Sequence, residues 1–160
     1  MAKAIVNLSE QEFKESLKAT PRALLQVKDF WVKRILGFTR TGKSLVTESR
    51  LKPLSSSYRK FRNSFQGFKS QFFRPNKSNL TFTGQLLDSL KGTANVRKQR
   101  VQIKPTGRRK DGLTNEQLAE YVAQQGRPFL GIDEKGLKRI EQIIKRDLRR
   151  TQKKRLRTRN

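Results

Sequence analysis

The sequence predicts an α+β fold, in which a small antiparallel sheet of three to four strands packs with two long helices beside an extended basic arm or loop. Residues 21–36 and residues 137–148 carry apolar side chains at spacings of three and four, which is typical of helices with one buried face. Residues 95–104 alternate in part, with Val101 and Ile103 on one face, which predicts a strand.

The N-terminal third contains a short strand and the longest predicted helix. Residues 4–8 are apolar and strand-like, and residues 9–12 match a capping box. Thr20 is placed to cap the next helix, with Pro21 at its first position, where a missing amide has no consequence. We expect this helix to span residues 21–36 and Gly37 to end it.

The amino-acid composition changes in the middle of the chain. Residues 37–79 are rich in Ser, Arg, Lys, Asn and Gly, and we expect an extended loop or arm within the domain. Its aromatic residues are predicted to pack in the core or in assembly: Tyr58, Phe61, Phe65, Phe68, Phe72 and Phe73. The spacing over residues 58–73 fits a helix, and an ordered arm remains an equal alternative. A short helix is predicted over residues 85–90.

Two further helices are predicted in the C-terminal third. Thr114 is placed to cap one of them, with Gln117 three residues later and Gly126 at its end. Residues 127–132 are extended, and Asp133 caps the last helix. We expect one domain over residues 1–150 and a flexible basic tail over residues 151–160.

The charge of the chain indicates a polyanionic partner. Lys and Arg total 38 against 13 acidic residues, a net charge of +25. We expect these residues to face DNA or another polyanion: Arg40, Lys43, Arg108, Arg109, Lys110, Arg149, Arg150, Lys153, Lys154, Arg155, Arg157 and Arg159. For the tail, plain solubility is the alternative, and the aromatic basic stretch could also stack on single-stranded bases.

Composition argues against several classes of function. The chain has neither Cys nor His, which removes disulfides, thiol chemistry and the commonest general base. Most of the carboxylates lie at helix starts or on charged helix faces, so we expect no catalytic residues, no metal and no cofactor. We also expect no signal peptide and no membrane span, and the chain to be made in the cytoplasm.

Residues 37–44, GFTRTGKS, match the phosphate-binding loop pattern G-x-x-x-x-G-K-[ST]. Such a loop must follow a buried strand and open a helix, so that its amides converge on phosphate. Here the preceding residues have a helical period, and Pro53 ends any helix that begins after Ser44. We therefore interpret the match as a basic loop after a helix, with a nucleotide-binding enzyme as the alternative.

Three boxes in the chain resemble a known family. They are Pro53 and Leu54 before an aromatic basic stretch; Thr83, Gly84 and Ser89 around Leu86 and Leu87; and Arg127, Pro128, Phe129, Leu130 and Gly131 before the last helix. In this order they resemble the tail completion and virion morphogenesis proteins of tailed bacteriophages, the neck proteins, over roughly residues 50–150. The helix at Thr114 and the longer basic tail depart from that pattern.

The resemblance implies architectural roles for the three boxes and a function without catalysis. It implies a structural protein of the virion at the head–tail junction, made in the host cytoplasm. The chain would assemble as a homo-oligomeric ring that contacts portal or adaptor proteins and tail-tube or terminator proteins around double-stranded DNA, with no membrane. The alternative that the residues support is a basic nucleic-acid-binding protein of ribosomal or nucleoid type.

Overall fold

The computed structural model describes residues 4–7, 18–67, 69, 71, 73–74, 80, 84–109 and 112–157. These residues form strands β1 Ala4–Asn7, β2 Leu90–Asn95 and β3 Arg100–Pro105, and helices α1 Pro21–Arg40, α2 Ser56–Ser64, α3 Gln85–Asp88, α4 Asn115–Gln124 and α5 Glu134–Arg157. The mixed α+β class agrees with the sequence prediction, and α1 and α5 are the two long helices.

The sheet is built around the central strand β3. Strand β2 pairs with it antiparallel, from Leu90 opposite Pro105 to Asn95 opposite Arg100. Strand β1 pairs with the other edge of β3, also antiparallel, which gives the order β1-β3-β2. The sequence predicted β1, and it predicted β3 five residues too early. It did not predict β2, which precedes that region and shares only Asn95 with it.

Helix α1 lies in the core, in contact with β2, β3 and α5. One stripe of its residues is buried: Ala23, Leu24, Val27, Trp31, Ile35 and Thr39. The close approach to the sheet depends on Gly92, because a Cβ there would lie 2.4 Å from Lys28 Cγ and 2.9 Å from Ile103 Cδ1. Helix α5 contributes Ile140, Ile144 and Leu148 to the same core.

The start of α1 is as predicted, and its end is not. Thr20 Oγ1 accepts the amide of Ala23 at 3.2 Å, and Pro21 occupies the first turn. The prediction that Gly37 ends the helix is wrong, because the helix continues to Arg40. The helix ends before Gly42, whose φ of 80° is the left-handed conformation that favours glycine at this position.

Helix α4 has the predicted capping box. Thr114 Oγ1 accepts the amide of Gln117 at 3.1 Å, and Gln117 Oε1 accepts the amide of Thr114 at 2.9 Å. Gly126, at φ 78°, follows the end of the helix, also as predicted. The box predicted over residues 9–12 lies outside the described residues.

Two helical segments differ in length from the predictions. The aromatic stretch is helical only in Ser56–Ser64, and Phe65 is already extended, so no single helix spans residues 58–73. Helix α5 continues to Arg157, through most of the segment predicted as a flexible tail. Lys, Arg, Gln and Leu have high helix propensity, which supports this continuation despite the repulsion between like charges.

Candidate nucleic-acid interface

Polar contacts near both ends hold α5 antiparallel to α1. At one end Thr20 Oγ1 donates to Asp147 Oδ2 at 2.6 Å. At the other, Arg34 Nε donates to Asp133 Oδ1 at 2.6 Å, and Arg34 Nη2 donates to Asp133 Oδ2. Both pairs of positions are about four helical turns apart along their helices, so the two contacts fix the register of α5.

The ion pair between Arg34 and Asp133 is nearly enclosed. Asp133 is 4% exposed and also accepts the amide of Gly136 at 3.2 Å, so it caps α5 as the sequence predicted. The hydrogen bond from Arg34 holds the pKa of Asp133 below its ordinary value and raises that of Arg34. The guanidinium lies over the Phe38 ring at 4.9 Å and near the Phe30 ring at 6.0 Å.

The segment just before α5 is bonded to the Pro-Leu box. Arg127 Nε donates to the carbonyl of Lys52 at 3.0 Å, and Nη2 donates to the carbonyl of Pro53 at 2.9 Å. Leu54 is buried beside these residues, while Pro53 is exposed. Two sequence boxes that are more than 70 residues apart in the chain therefore contact each other directly.

Two more hydrogen bonds fix residues 128–131 on the core. Ser44 Oγ, which is buried, donates to the carbonyl of Pro128 at 2.5 Å. Trp31 Nε1 donates to the carbonyl of Gly131 at 2.8 Å. Phe129 is 1% exposed and Leu130 is half-buried in the same core.

In the middle box, the described residues play a structural part. Gly84 has a φ of 79° and precedes α3. The sequence predicted that Thr83 caps this helix. Thr83 itself lies outside the described residues. Ser89 Oγ donates to the carbonyl of Leu86 at 2.7 Å, and the carbonyl of Ser89 accepts the amide of Thr106 at 2.9 Å. Leu86 and Leu87 are buried.

The outer face of residues 145–157 is the most cationic surface described. Eight of these 13 residues are Lys or Arg. The described side chains among them are exposed: Lys145, Arg146, Arg149, Arg150, Lys153, Lys154 and Arg157. Arg155 belongs to the helix, but its side chain is outside the description, as is the whole of Arg159. The single acid, Asp147, is turned inward to Thr20.

Helix α5 extends past its partner helix. Thr20, the cap of α1, lies opposite Asp147, and ten further residues of α5 follow Asp147. At 1.5 Å per residue this extension is about 15 Å long. It carries six of the twelve predicted polyanion-facing residues, and Leu156, which is 66% exposed, lies among them.

Other predicted polyanion-facing residues lie at the opposite end of the fold. Arg40 and Lys43 follow the far end of α1, about 30 Å from its start. Arg40 is half-buried and ion-paired to Asp88 at 3.6 Å, and Lys43 is exposed. Arg108 is exposed and Arg109 half-buried beyond the far end of β3, and Lys110 lies outside the described residues. The prediction that Arg40 and Lys43 share one surface with the tail is therefore wrong.

The structure instead brings other cations to the end where α5 extends. Gln99 Nε2 donates to the carbonyl of Ala19 at 3.3 Å, which places the β2–β3 turn beside the start of α1. Four exposed residues come with these segments: Lys18, Arg22, Arg97 and Lys98. Sequence reasoning missed them, because it did not recognise the hairpin that carries two of them. We call this region, with residues 145–157, the cationic end.

The phosphate-loop match is a helix end with its amides already bonded. Three successive amides donate to main-chain carbonyls: Gly42 to Thr39 at 2.9 Å, Lys43 to Phe38 at 3.0 Å and Ser44 to Ser49 at 2.9 Å. The amides of Val46 and Thr47 donate to Ser44 Oγ at 3.1 and 3.3 Å. The first two bonds form the glycine-dependent end of α1, and these amides do not converge on a phosphate site.

The aromatic stretch surrounds a buried arginine. Arg62 is 2% exposed, donates from Nη2 to the carbonyl of Arg74 at 3.3 Å, and lies over the Phe73 ring at 4.9 Å. Burial lowers the pKa of Arg62. Tyr58 and Phe61 are 43% and 51% exposed, with ring centroids 6.0 Å apart.

The remaining aromatic residues divide into two groups. Phe65 and Phe73 are half-buried. Phe68 and Phe72 lie outside the described residues. Tyr58 and Phe61 contact Arg62 and Phe65 within the chain and also keep exposed surface on α2.

Polar side chains at these contacts bond to main-chain groups or to each other. Among the described residues, no group of three acidic side chains is arranged to hold a metal ion. No helix within the described part of the chain has both the length and the apolar character of a membrane span.

Comparison of the chain with models of known protein families, with curated proteins and with solved structures found no match.

Proposed function

We propose that this protein is a non-enzymatic structural component of a bacteriophage virion, located at the head–tail junction. In this proposal it assembles as a homo-oligomeric ring that joins the head connector to the tail around the DNA channel. Its folding unit is a sheet of three to four strands packed with two long helices. Its partners are copies of itself, portal or adaptor proteins, tail-tube or terminator proteins, and double-stranded DNA.

One observation carries the proposal: the described residues of the boxes that resemble the neck protein family make structural contacts, and the first and last boxes contact each other. Arg127 binds the carbonyls of Lys52 and Pro53, and the carbonyls of Pro128 and Gly131 are bound by core side chains. Such contacts give the residues of the first and last boxes a structural role, because each of these two boxes fixes the position of the other. They support an architectural role rather than a chemical one.

The exposed aromatic pair on α2 supports self-assembly. Tyr58 and Phe61 present two stacked rings to solvent, and aromatic side chains are enriched at the centres of protein interfaces. In a ring of identical copies, such a pair would be buried against the neighbouring subunit.

A test of the proposal is electron microscopy of the purified protein together with the variant Tyr58→Ser/Phe61→Ser. The parent protein is expected to form closed rings with a central channel, and the variant to remain monomeric with an unchanged circular dichroism spectrum. Leu156→Ser is the matched control, because it also removes an exposed apolar side chain but should leave the rings intact. A parent protein that stays monomeric at every concentration contradicts the proposal.

The cationic end favours a second candidate function, a basic nucleic-acid-binding protein that works without assembly. A helix face of one charge sign is present in a single copy of the chain and needs no ring. Tight DNA binding by a monomer, with no ring under any condition, would favour this second function.

A further inference from the structure

We infer that residues 145–157 of α5 form a helical element that lies along duplex DNA and binds its phosphates without reading the base sequence. The inference rests on the proposed function only for the choice of duplex DNA as the polyanion. The arrangement of charge on the helix is independent of that choice.

The first argument is the density of charge. Eight cations occur in residues 145–157, which span about 18 Å at 1.5 Å per residue. Duplex DNA carries roughly one phosphate per 1.7 Å of its axis, spread over two strands. A helix with one cation per roughly 2 Å matches a regular polyanion of this kind more closely than it matches the mixed charges of an acidic protein surface.

The second argument is the placement of the cations in two neighbouring rows on one side of the helix. One row contains Lys145, Arg149, Lys153 and Arg157, and the other contains Arg146, Arg150 and Lys154. Successive residues of a row are four positions apart and therefore about 6 Å apart along the axis. The buried residues Ile140, Ile144 and Leu148 occupy the other side, so the rows face outward.

The third argument is that the described acids of α5 near this face have partners elsewhere. Asp147 accepts a hydrogen bond from Thr20 on the inner side, and Glu141 forms an ion pair with Lys145 at the start of the rows. Beyond Asp147 no carboxylate occurs in the helix. Residues 148–157 of α5 therefore carry charge of one sign, which favours binding to phosphates.

The fourth argument is access. The last ten residues of α5 extend past Thr20, and a helix with its side chains is about 10–12 Å wide, close to the roughly 12 Å width of the DNA major groove. Lys18, Arg22, Arg97 and Lys98 lie at the same end and can contact phosphates beside the groove.

The same face favours a duplex over a single strand. Binding of single strands depends on aromatic side chains on which bases stack. Residues 145–157 contain no aromatic residue, and Leu156 is the exposed apolar side chain among the cations. The exposed rings of Tyr58 and Phe61 are on a different helix, α2.

The test measures binding of the full chain to a fluorescent duplex of arbitrary sequence over a series of NaCl concentrations. The variant Arg149→Gln/Arg150→Gln/Lys153→Gln/Arg157→Gln removes four cations and keeps good helix formers. Its matched control, Lys43→Gln/Arg50→Gln/Lys52→Gln/Arg108→Gln, removes four exposed cations from the opposite part of the fold. The two variants have the same net charge.

The expected result is a selective loss of salt dependence. Each phosphate contact contributes about 0.9 to the slope of log affinity against log salt concentration, so the α5 variant should lose up to about 3.6 from that slope. The control should lose less than about 1. Circular dichroism should show the same helix content in both variants, and a second duplex of unrelated sequence should bind equally well.

Several outcomes would overturn the inference. These are no binding of the parent to the duplex, equal losses in the two variants, tighter binding of a single strand, or equally tight binding of polyglutamate. The ring assay separates this inference from the proposed function. Rings without a selective loss of slope would support the proposed function and contradict the inference. A selective loss of slope without rings would support the inference and contradict the proposed function.

Discussion

At the scale of single residues, the contact between Arg34 and Asp133 has a large expected effect on stability. The carboxylate is almost fully enclosed, and its two strongest partners are the guanidinium of Arg34 and the amide of Gly136. Arg34 is partly exposed, so water can reach its side of the pair. An enclosed carboxylate that loses its cation remains charged without a partner. Removal of the cation therefore lowers the free energy of unfolding by more than the intact pair contributes to it.

Replacement of Arg34 by Met should therefore lower the free energy of unfolding by about 3 kcal/mol. Urea denaturation at neutral pH would measure the change. Lys33→Met is the matched control, because Lys33 is exposed on the neighbouring position of α1, and its effect should be within about 0.5 kcal/mol. Equal effects of the two substitutions would show that the ion pair does not hold α5.

The same carboxylate predicts a change of stability with pH. Because the hydrogen bond from Arg34 keeps the pKa of Asp133 below its ordinary value of 3.8, the unfolded chain binds a proton at this position more readily than the folded chain. The stabilisation is complete above that value and is lost as the pH falls through the lower pKa of the folded state.

The variant Asp133→Asn isolates this effect, since Asn still caps a helix but does not ionise. The parent should be the more stable protein near pH 6, and its advantage in urea denaturation should shrink as the pH is lowered below 3.8. An advantage that stays constant down to pH 2 would contradict the assignment.

At the scale of elements, the end of α1 depends on one glycine and not on the other. Gly37 is in the helix, and a Cβ there would meet no atom within 4 Å. Gly42 has a φ of 80°, and its amide completes the helix end. The two glycines of the phosphate-loop pattern thus have opposite structural requirements.

We expect Gly37→Ala to stabilise the protein by about 0.5–1 kcal/mol, because alanine loses less backbone entropy in a helix. Gly42→Ala should destabilise it by about 1–2 kcal/mol, because a Cβ disfavours the left-handed conformation. Thermal or urea unfolding would measure both. Destabilisation of similar size by both substitutions would mean that α1 does not continue through Gly37.

Local signals were sufficient for several elements and insufficient for others. The capping box of Thr114 and Gln117 is contained in four residues, and the structure has it as predicted. Strand β2 contains Gly92 and Asn95, which disfavour strands, and it forms because β3 pairs with it. The tertiary pairing therefore overrides the local preference.

Only part of the candidate site was predicted, because some of its residues are brought together by tertiary contacts. The basic residues of α5 could be recognised from composition alone, and the lack of an apolar stripe beyond Leu148, apart from Leu156, led to the prediction of a flexible tail. Arg34 and Asp133 are 99 positions apart, and nothing near either residue indicates the other. The cations of the β2–β3 turn could join the site only after the hairpin was known.

At the scale of the whole molecule, repulsion between the positive charges destabilises the folded state. The net charge is +25, and α5 alone places seven described cations along one face. The enclosed pair of Arg34 and Asp133 is screened little by salt, whereas repulsion between exposed cations is screened strongly. Salt should therefore relieve repulsion more than it weakens the attraction that fixes α5.

This balance predicts that NaCl raises the melting temperature, in contrast to a protein held by exposed ion pairs. Relief of about 1–2 kcal/mol of repulsion between low salt and roughly half-molar salt corresponds to a rise of about 2–8 °C for a domain of this size. Scanning calorimetry in NaCl would measure it.

The variant Lys43→Glu/Arg108→Glu has four fewer net positive charges, so it should melt higher than the parent at low salt and respond less to NaCl. A short duplex should raise the melting temperature of the parent further at low salt, because a ligand that binds only the folded state stabilises it. A melting temperature that falls as NaCl is added would mean that attraction between exposed charges outweighs repulsion, and the cationic end would then be balanced within the chain itself.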